Sequence, residues 1–355
     1  MSLLHELPPV RRFRLPFTPP RAFFRLGGKV YEAVRDLACG DTREPRLLAR
    51  REDLEGSRSL RLIERVHGPS DARPSVRMVE ELVWGLRVRH PGLLQLLDVA
   101  AEGERLFAVR EYVGGWRLDA VLRLGPLLGR RPLSVEAVCH VGAELAEALH
   151  HLHTWTDASG QPTSLFHGHV SARHVWLTLG GRVKLEGFGT RASRAAPQRC
   201  SYPEWSEAIR ESLYAPPLED TRRARGAPRD LYGLAVVMLE LLRGRPLWEP
   251  LAPERWRWGL PPDAVRRELR WLKVPASLCE VLRELLLGGE EPGAPALTAA
   301  RLRDRLRRHA RSSREELARE LREARGLAVS RLRPWDSASA VLETLPDALR
   351  RAARA

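Results

Sequence analysis

Lysine is nearly absent from this chain. Its 355 residues include 59 basic side chains, of which three are lysines and 56 are arginines, and the formal net charge is +14. Such a charge suits an anionic partner, but the arginines accompany 27 glycines and 27 prolines, which indicates a coding bias as much as a binding site. No nucleic-acid recognition motif accompanies the charge. The composition therefore disfavours a nucleic-acid binder.

Cysteine and long apolar runs are scarce as well. The four cysteines form no CxxC pair, which argues against a disulfide framework and predicts buried thiols in a reducing compartment. No apolar run reaches the roughly 20 residues of a transmembrane helix, and the first residues lack the apolar core of a signal peptide. We therefore expect a soluble, cytoplasmic protein without a membrane span.

Three segments of different composition divide the chain. Residues 1–22 contain five prolines among arginines and predict a mobile leader. Residues 23–310 alternate strand-like and helix-like patterns and are long enough to bury a large core. Residues 311–355 form a basic, helix-prone tail, and the segment from Arg301 onward contains 15 arginines and eight acidic residues. Either a solvated helix with Arg/Glu pairs or a partner-binding helix fits this tail.

Helical periodicity is clear in several places. It predicts helices at 75–90, 138–152, 234–242, 276–288 and 298–309, with the segment 234–242 apolar nearly all round and therefore buried. Ser134 is a candidate N-cap for the second of these helices.

The most informative stretch is 165–191. Within it, two short apolar runs at 175–179 and 183–185 are separated by Gly180 and Gly181. This pattern predicts a tight hairpin, because a two-residue primed turn requires positive φ at both central positions. The hairpin is preceded by His-Gly-His-Val-Ser-Ala-Arg-His and followed by Glu-Gly-Phe-Gly.

This loop, hairpin and loop resemble the catalytic and metal loops of protein kinases. There the pattern is His-Arg-Asp-Leu-Ala-Ala-Arg-Asn, a hairpin, and Asp-Phe-Gly. The resemblance implies an α+β, bilobal protein-kinase-like fold over residues 23–310. A small β-rich N-lobe would occupy 23–112, and a larger helical C-lobe would occupy 113–310.

Aligned with that pattern, three catalytic positions hold unsuitable side chains. His169 stands at the catalytic aspartate, His174 at the asparagine that binds one Mg²⁺, and Gly187 at the aspartate that binds the other. Magnesium prefers hard oxygen ligands in octahedral geometry, and neither imidazole nor glycine supplies them. The resemblance therefore implies no functional catalytic residue and no bound metal.

The nucleotide-binding positions implied by the resemblance are altered too. Gly28 keeps one of the three loop glycines, Arg50 replaces the strand lysine, and Arg110 stands at the gatekeeper position beside the adenine pocket. A cation there must be paired or must reach solvent. The remnant pocket comprises Gly28, Val30, Arg50, Glu81, Arg110 and Glu111. We expect no cofactor, and ATP binding is disfavoured.

By contrast, the positions that support the loops are retained. The resemblance assigns structural roles to His167, Phe188 and Gly189, and it assigns Asp230 the bracing of the catalytic-loop backbone. Packing residues therefore remain where catalytic residues are missing.

The three histidines of the loop raise a competing possibility. His167, His169 and His174 lie within eight residues, and imidazole is a zinc ligand. No nearby cysteine or second cluster completes a site, and His167 is expected to face the core. The sequence therefore does not predict a zinc site.

The function implied by the resemblance is that of a pseudokinase. Ala172 and Arg173 match the Ala-Arg of tyrosine kinases, so we expect an inactive, tyrosine-kinase-like scaffold or allosteric regulator whose partner is another signalling protein. Two alternatives stay open. One is a divergent kinase with residual, metal-independent ATP binding or phosphotransfer. The other is a binder of acidic surfaces or nucleic acid through the basic tail.

Overall fold

The structure is a computed structural model of the whole chain. It describes residues 23–36, 46–52, 58–66, 76–102, 105–157, 159–163, 165–188, 211–217, 220, 225–247, 259–288, 297–311 and 313–331. The predicted leader at 1–22, Gly189 and the end of the tail from residue 332 lie outside these ranges. The described residues form two compact units: the first contains those up to residue 89 with those of 94–113 and Phe188, and the second contains the others.

The first unit is built on a six-stranded antiparallel sheet with the strand order β1-β2-β3-β4-β6-β5. Its elements are β1 (Phe23–Leu26), β2 (Lys29–Asp36), β3 (Arg46–Glu52), β4 (Arg58–Val66), helix α1 (Val76–Arg87), β5 (Leu96–Glu102) and β6 (Arg105–Glu111). Met78 and Leu82 of α1 are buried together with Leu96 and Ala108 of the sheet. The predicted β-rich N-terminal region and its helix are confirmed.

A glycine pair makes the turn between β1 and β2. Gly27 and Gly28 have φ values of 55° and 75°, and the strand register pairs Leu26 with Lys29 across them. Two positive φ angles in a two-residue loop define the turn that glycine favours. A Cβ on Gly27 would also lie 3.0 Å from the Cβ of Ala100. The space beside the sheet therefore adds a second requirement for glycine.

The second unit is mainly helical and carries a three-stranded antiparallel sheet, β7-β8-β9. Its elements are β7 (Gly115–Arg117), α2 (Leu118–Leu122), α3 (Leu124–Leu128), α4 (Val135–His153), β8 (Val175–Thr178), β9 (Val183–Leu185), α5 (Gly226–Arg243), α6 (Pro262–Trp271), α7 (Ala276–Leu287), α8 (Ala299–Arg307) and α9 (Arg314–Arg331). The predicted helices α4, α5, α7 and α8 are present, and Ser134 caps α4 by accepting a hydrogen bond from the Ala137 amide. Helices α2 and α3 span five residues each, too few for a periodic pattern to show.

The turn between β8 and β9 differs from the prediction. Strand β8 ends at Thr178 and β9 begins at Val183, so four residues connect them. Of the two glycines, only Gly181 has a positive φ, 75°. The predicted two-residue primed turn is therefore wrong. The reason lies in Thr178, whose carbonyl accepts from the Gly181 amide and whose hydroxyl accepts from the Arg182 amide, which closes a longer loop.

Helix α5 lies at the centre of the second unit. Every residue from 230 to 242 is buried, including Asp230 and Glu240. The helix ends at Gly244, which adopts the left-handed conformation with φ 77°, as helix C-termini commonly do. The predicted burial of 234–242 is confirmed, and the two buried acids place charge-bearing groups inside the core.

The tail begins with a helix that packs onto the second unit. Leu317, Leu321, Ala324 and Ala328 of α9 are buried, and the last two of these join Leu124 and Leu128 of α3 in one apolar cluster. Glu320 accepts hydrogen bonds from both the amide and the hydroxyl of Ser134, at 2.8 and 2.7 Å. One face of this helix is therefore core rather than solvated surface.

Two of the four cysteines lie in the described part of the chain. Cys139 is buried and Cys279 half-buried, and both are free thiols, whereas Cys39 and Cys200 lie outside the described residues.

None of the helices in the described part of the chain combines the length and the apolar character needed to span a bilayer.

Candidate functional site

Asp230 of α5 fixes the start of the loop that precedes β8. Its carboxylate accepts hydrogen bonds from the amides of His167 and Gly168, at 2.9 and 2.5 Å. The ring nitrogen Nε2 of His153, on α4, lies 3.0 Å from the same carboxylate. A carboxylate that accepts backbone N–H groups in a buried site makes strong, directional bonds. Asp230 therefore holds the loop backbone to α5, in the place where the resemblance implied a brace, and His153 of α4 contacts the same carboxylate.

A second set of contacts connects this loop to its neighbours. The buried ring of His167 lies with Nε2 3.0 Å from the carbonyl oxygen of Glu186, beyond β9. Arg229 Nε donates to the carbonyl of Gly168 at 3.2 Å. Gly168 itself has a φ of 71°, a conformation that glycine adopts without strain.

Gly187 is the position at which the resemblance implies a metal-binding aspartate. It has a φ of 102° and no side chain. The carboxylate of the preceding residue, Glu186, is buried and accepts a hydrogen bond from Trp176 Nε1 at 2.6 Å. Its bond with Trp176 orients this carboxylate toward β8. Glu186 therefore does not replace the missing aspartate.

His169, His174 and Glu211 form a cluster in the second unit. One potential ligand atom from each lies within 4.8 Å of the other two. His169 Nε2 is 3.0 Å from Oε2 of Glu211, and the rings of His169 and His174 meet edge to face with centroids 5.0 Å apart. Ser171 Oγ lies 2.9 Å from Nδ1 of His174. We call these three residues the His-His-Glu cluster.

The charge state of Glu211 follows from its surroundings. Burial alone would raise the pKa of this carboxyl, but His169, Arg173 and Ser171 together outweigh burial and lower the pKa below its usual value. The side chain of Arg173 stands on the other side, with Nε 4.0 Å from Oε1 of Glu211. Glu211 is therefore a carboxylate at neutral pH, with one oxygen toward Arg173 and the other toward His169.

The half-buried Tyr214 and the buried Glu240 form a hydrogen-bonded pair close to this cluster. The Tyr214 hydroxyl donates to Oε2 of Glu240 at 2.6 Å, and the Leu247 amide donates to Oε1 at 3.0 Å. Burial raises the pKa of Glu240 to about 7, although both hydrogen bonds act in the opposite direction. Burial, followed by the charge of Glu240, raises the pKa of Tyr214. The carboxyl therefore changes its charge near neutral pH.

A shallow, solvent-open depression adjoins the cluster. It is lined by Gly168, His169, Val170, Glu211, Tyr214 and Arg229. Two of the cluster residues, His169 and Glu211, therefore border space that solvent can enter.

The magnesium ions that a kinase-like fold implies do not fit the residues at these positions. Gly187 offers no ligand atom, and His174 offers nitrogen where Mg²⁺ prefers oxygen. The carboxylate of Glu186 is already bound by Trp176. The donor chemistry of this loop does not match that ion.

In the first unit, Arg50 and Arg110 stand at two positions where the resemblance implies contacts with nucleotide. Arg50 on β3 donates to Glu32 on the neighbouring strand β2 at 3.0 Å. Arg110 on β6 is fully buried, with Nε 3.6 Å from Oε2 of Glu64 on β4. Each arginine therefore faces an acidic side chain within its own sheet.

The remaining predicted pocket positions are spread over the same sheet and helix. Gly28 lies in the β1–β2 turn and Val30 is half exposed on β2. Glu81 lies on α1, while Glu111 at the end of β6 accepts a hydrogen bond from the Gln95 amide at 2.9 Å. Phe188 is buried directly after Gly187.

Two residues of the site were not found from the sequence. Neither His153 nor Glu211 belongs to a motif in the sequence. His153 lies one residue past the predicted helix 138–152, so its proximity to Asp230 depends on how α4 packs on α5. Glu211 lies beyond residues 189–210, and no spacing rule relates it to His169. Only the fold brings these groups together.

The antiparallel sheet with its helix, and the helical unit with its braced loop and β8–β9 hairpin, define a protein-kinase-like domain. The solved kinase domain of Mycobacterium tuberculosis PknI superimposes with a TM-score of 0.52 and 20% sequence identity, covering 85% of this chain and 98% of that one. At this identity the similarity shows the fold.

The sequence comparison identifies the family. Residues 62–262 match the family described as protein tyrosine and serine/threonine kinase, and the chain belongs to it.

The curated relatives include one protein named as a tyrosine kinase and another named as a serine/threonine kinase. The chain is 27% identical over 167 residues to tyrosine-protein kinase MasK of Myxococcus xanthus, which covers 46% of this chain and 25% of that protein. It is 27% identical over 180 residues to serine/threonine-protein kinase PkaA of Streptomyces coelicolor, covering 50% and 30%. U-box domain-containing protein 33 of Arabidopsis thaliana is 28% identical over 185 residues, covering 50% and 20%. The similarity thus spans less than a third of these relatives' own length.

Proposed function

We propose that this chain is a catalytically inactive member of the protein-kinase family that acts through a protein partner, as a scaffold or allosteric regulator. The observation that carries the proposal is the contrast between the retained support of the loop before β8 and the side chains at the expected catalytic and metal-binding positions. Asp230 still holds the backbone of His167 and Gly168, while the positions for the base and for the metal ligands hold His169, His174 and Gly187.

The chemistry of phosphoryl transfer explains why these changes matter together. Catalysis in this family consists mainly of positioning and of stabilising charge with metal ions and a base. His169 stands 3.0 Å from Glu211, so its ring is oriented within the second unit by a carboxylate that the family pattern does not include. With no hard oxygen ligand at His174 or Gly187, these two positions do not offer magnesium the ligands that it prefers.

Arg50 and Arg110 of the first unit support the same proposal. A metal-independent kinase would need cations directed at phosphates. Arg50 and Arg110 instead lie beside Glu32 and Glu64, and a cation that faces a carboxylate is less effective for an anionic ligand. The assignment to a tyrosine-kinase-like subtype is supported only by Ala172 and Arg173 and belongs to the proposal.

The test is a phosphotransfer assay with radiolabelled ATP and Mg²⁺ on the purified full chain. We expect no incorporation above a no-enzyme background, with either autophosphorylation or a generic acceptor as readout. His169→Asp alone should not restore transfer, because the two metal positions remain empty of oxygen ligands. Transfer by the unaltered chain that depends on Mg²⁺ and is lost in Asp230→Ala would contradict the proposal.

A further inference from the structure

We propose that the His-His-Glu cluster of His169, His174 and Glu211 binds a divalent transition-metal ion, with Zn²⁺ the best-suited ion. The sequence alone argued against such a site because no residue near the three loop histidines completes it. The fold supplies the missing ligand by bringing Glu211 within 4.8 Å of the two imidazoles. His167 does not take part, because its ring is directed to the carbonyl of Glu186.

The donor set is suited to such an ion. Two imidazoles and one carboxylate are the ligands of many three-residue zinc sites, which leave a fourth position for water. The same set excludes magnesium and calcium, which require oxygen ligands. The solvent-open depression that borders His169 and Glu211 gives water access to that fourth position.

The distances are close to those of a bound site. Bonds of about 2.0–2.1 Å in tetrahedral geometry place ligand atoms about 3.4 Å apart. His169 Nε2 and Glu211 Oε2 are already 3.0 Å apart, while the widest separation in the cluster stays within 4.8 Å. A side-chain adjustment of roughly 1 Å at His174 therefore closes the site, which is within the range of a small rotamer change.

The surroundings hold the ligands in place. Ser171 Oγ, 2.9 Å from Nδ1 of His174, can orient that ring as second-shell partners do for metal-binding histidines. Oε2 of Glu211 is buried and is directed toward His169, whose Nε2 lies 3.0 Å away. The Arg173 guanidinium is 4.0 Å from Oε1, the other oxygen, so it partly opposes a bound cation without occupying its side of the carboxylate.

This site has a consequence for the architecture of the second unit. The two histidines belong to the loop braced by Asp230, whereas Glu211 lies beyond residues 189–210. A bound ion would tie these two segments together through the degenerate catalytic positions. The inference does not depend on the absence of phosphotransfer, because it concerns binding measured without nucleotide.

The experiment is a titration of the metal-stripped full chain with ZnCl₂ by calorimetry, with melting temperature as a second readout. We expect saturable binding and a rise of several degrees in melting temperature, since an ion that binds only the folded state stabilises it. Glu211→Gln, which keeps shape but removes the carboxylate, and His169→Ala should each weaken binding at least tenfold, the lower end of what even outer-shell changes cost.

Control variants separate this site from incidental binding to other histidines. His309→Ala removes a histidine just beyond the end of α8, whose Nε2 lies 3.2 Å from Ser277 Oγ, and should leave zinc affinity unchanged. Co²⁺ is the spectroscopic probe, because four-coordinate Co²⁺ absorbs strongly in the visible range, and this absorption should vanish in Glu211→Gln. Melting curves without metal show whether each variant is folded. Wild-type affinity in both folded cluster variants, or no saturable binding by the unaltered chain, would overturn the proposal.

Discussion

The Tyr214 hydroxyl donates a 2.6 Å hydrogen bond to Glu240, a carboxyl that is buried inside the second unit. Burial places its pKa at about 7, against an ordinary value of 4.5. Leu247, Glu211 and Arg243 are the other groups that influence this pKa. A folded-state pKa above the unfolded one means that the folded chain binds the proton more tightly.

The first prediction concerns the pH dependence that follows. The stabilising contribution of protonated Glu240 is fully present below pH 4.5 and is lost as the pH rises through about 7. Glu240→Gln cannot ionise, so the unfolding free energy of the wild type, relative to this variant, should fall by about 2–3 kcal/mol between pH 5 and pH 8. Urea unfolding of both proteins at the two pH values measures it. A constant difference would show that Glu240 does not titrate in this window.

The second prediction concerns the brace of the loop. Asp230→Ala removes the acceptor of two backbone amides and of His153. Each buried donor left without a partner costs about 1–3 kcal/mol, so we expect a loss of at least about 3 kcal/mol in chemical unfolding. Asp263→Ala is the matched control, since that side chain is 95% exposed and its loss should cost under about 1 kcal/mol. Equal losses would mean that the brace does not stabilise the fold.

The third prediction concerns the docked helix α9. Leu321 is 2% exposed and Leu327, on the same helix, is 41% exposed. Leu321→Ala should lower stability by about 2–5 kcal/mol through lost packing and a cavity, whereas Leu327→Ala should cost under about 1 kcal/mol. Thermal unfolding of the two variants tests this. Similar effects would show that α9 does not rest on the second unit by the face described.

The fourth prediction concerns nucleotide. By the resemblance, two of the three loop glycines, the strand lysine and the metal aspartate are replaced in this chain, so millimolar ATP with Mg²⁺ should not raise the melting temperature. A ligand at a hundredfold excess over Kd would stabilise the folded chain by about 2.7 kcal/mol, which such a measurement detects easily. A shift that requires both ATP and Mg²⁺ would demonstrate a working pocket. A shift that persists in EDTA would instead indicate metal-free binding through Arg50 or Arg110.

The sequence predicted those elements whose pattern is local. Helix α4 shows apolar residues at intervals of three and four and begins after Ser134, and α5 is apolar on all sides; both are present. The docking of α9 was not predicted, because its buried face includes alanines among charged residues, and alanine is common on either face of a helix. The β8–β9 turn was mispredicted because Thr178 side-chain bonding outweighed the glycine pair.

The candidate site also contains some residues that the sequence could predict and others that it could not. The histidines and Gly187 are adjacent in sequence, so their positions could be compared with a known pattern. His153 comes from α4, and its approach to Asp230 depends on how α4 packs on α5. Glu211 comes from a segment more than 40 residues after His169, and only the fold brings the two side chains together. Contacts of this kind have no signature in one sequence, which is why the sequence argued against a metal and the structure supplies a third ligand.

The position of α9 in the chain affects how the protein is synthesised. Leu124 and Leu128 leave the ribosome early, but the alanines that cover them, Ala324 and Ala328, are made about 200 residues later. During that interval an apolar surface on the nascent chain stays open, and such surfaces favour aggregation or chaperone binding. The second unit is therefore complete only after α9, which lies C-terminal to the family match, has been synthesised. Slow translation of residues 263–331 would lengthen the time during which the nascent chain can aggregate.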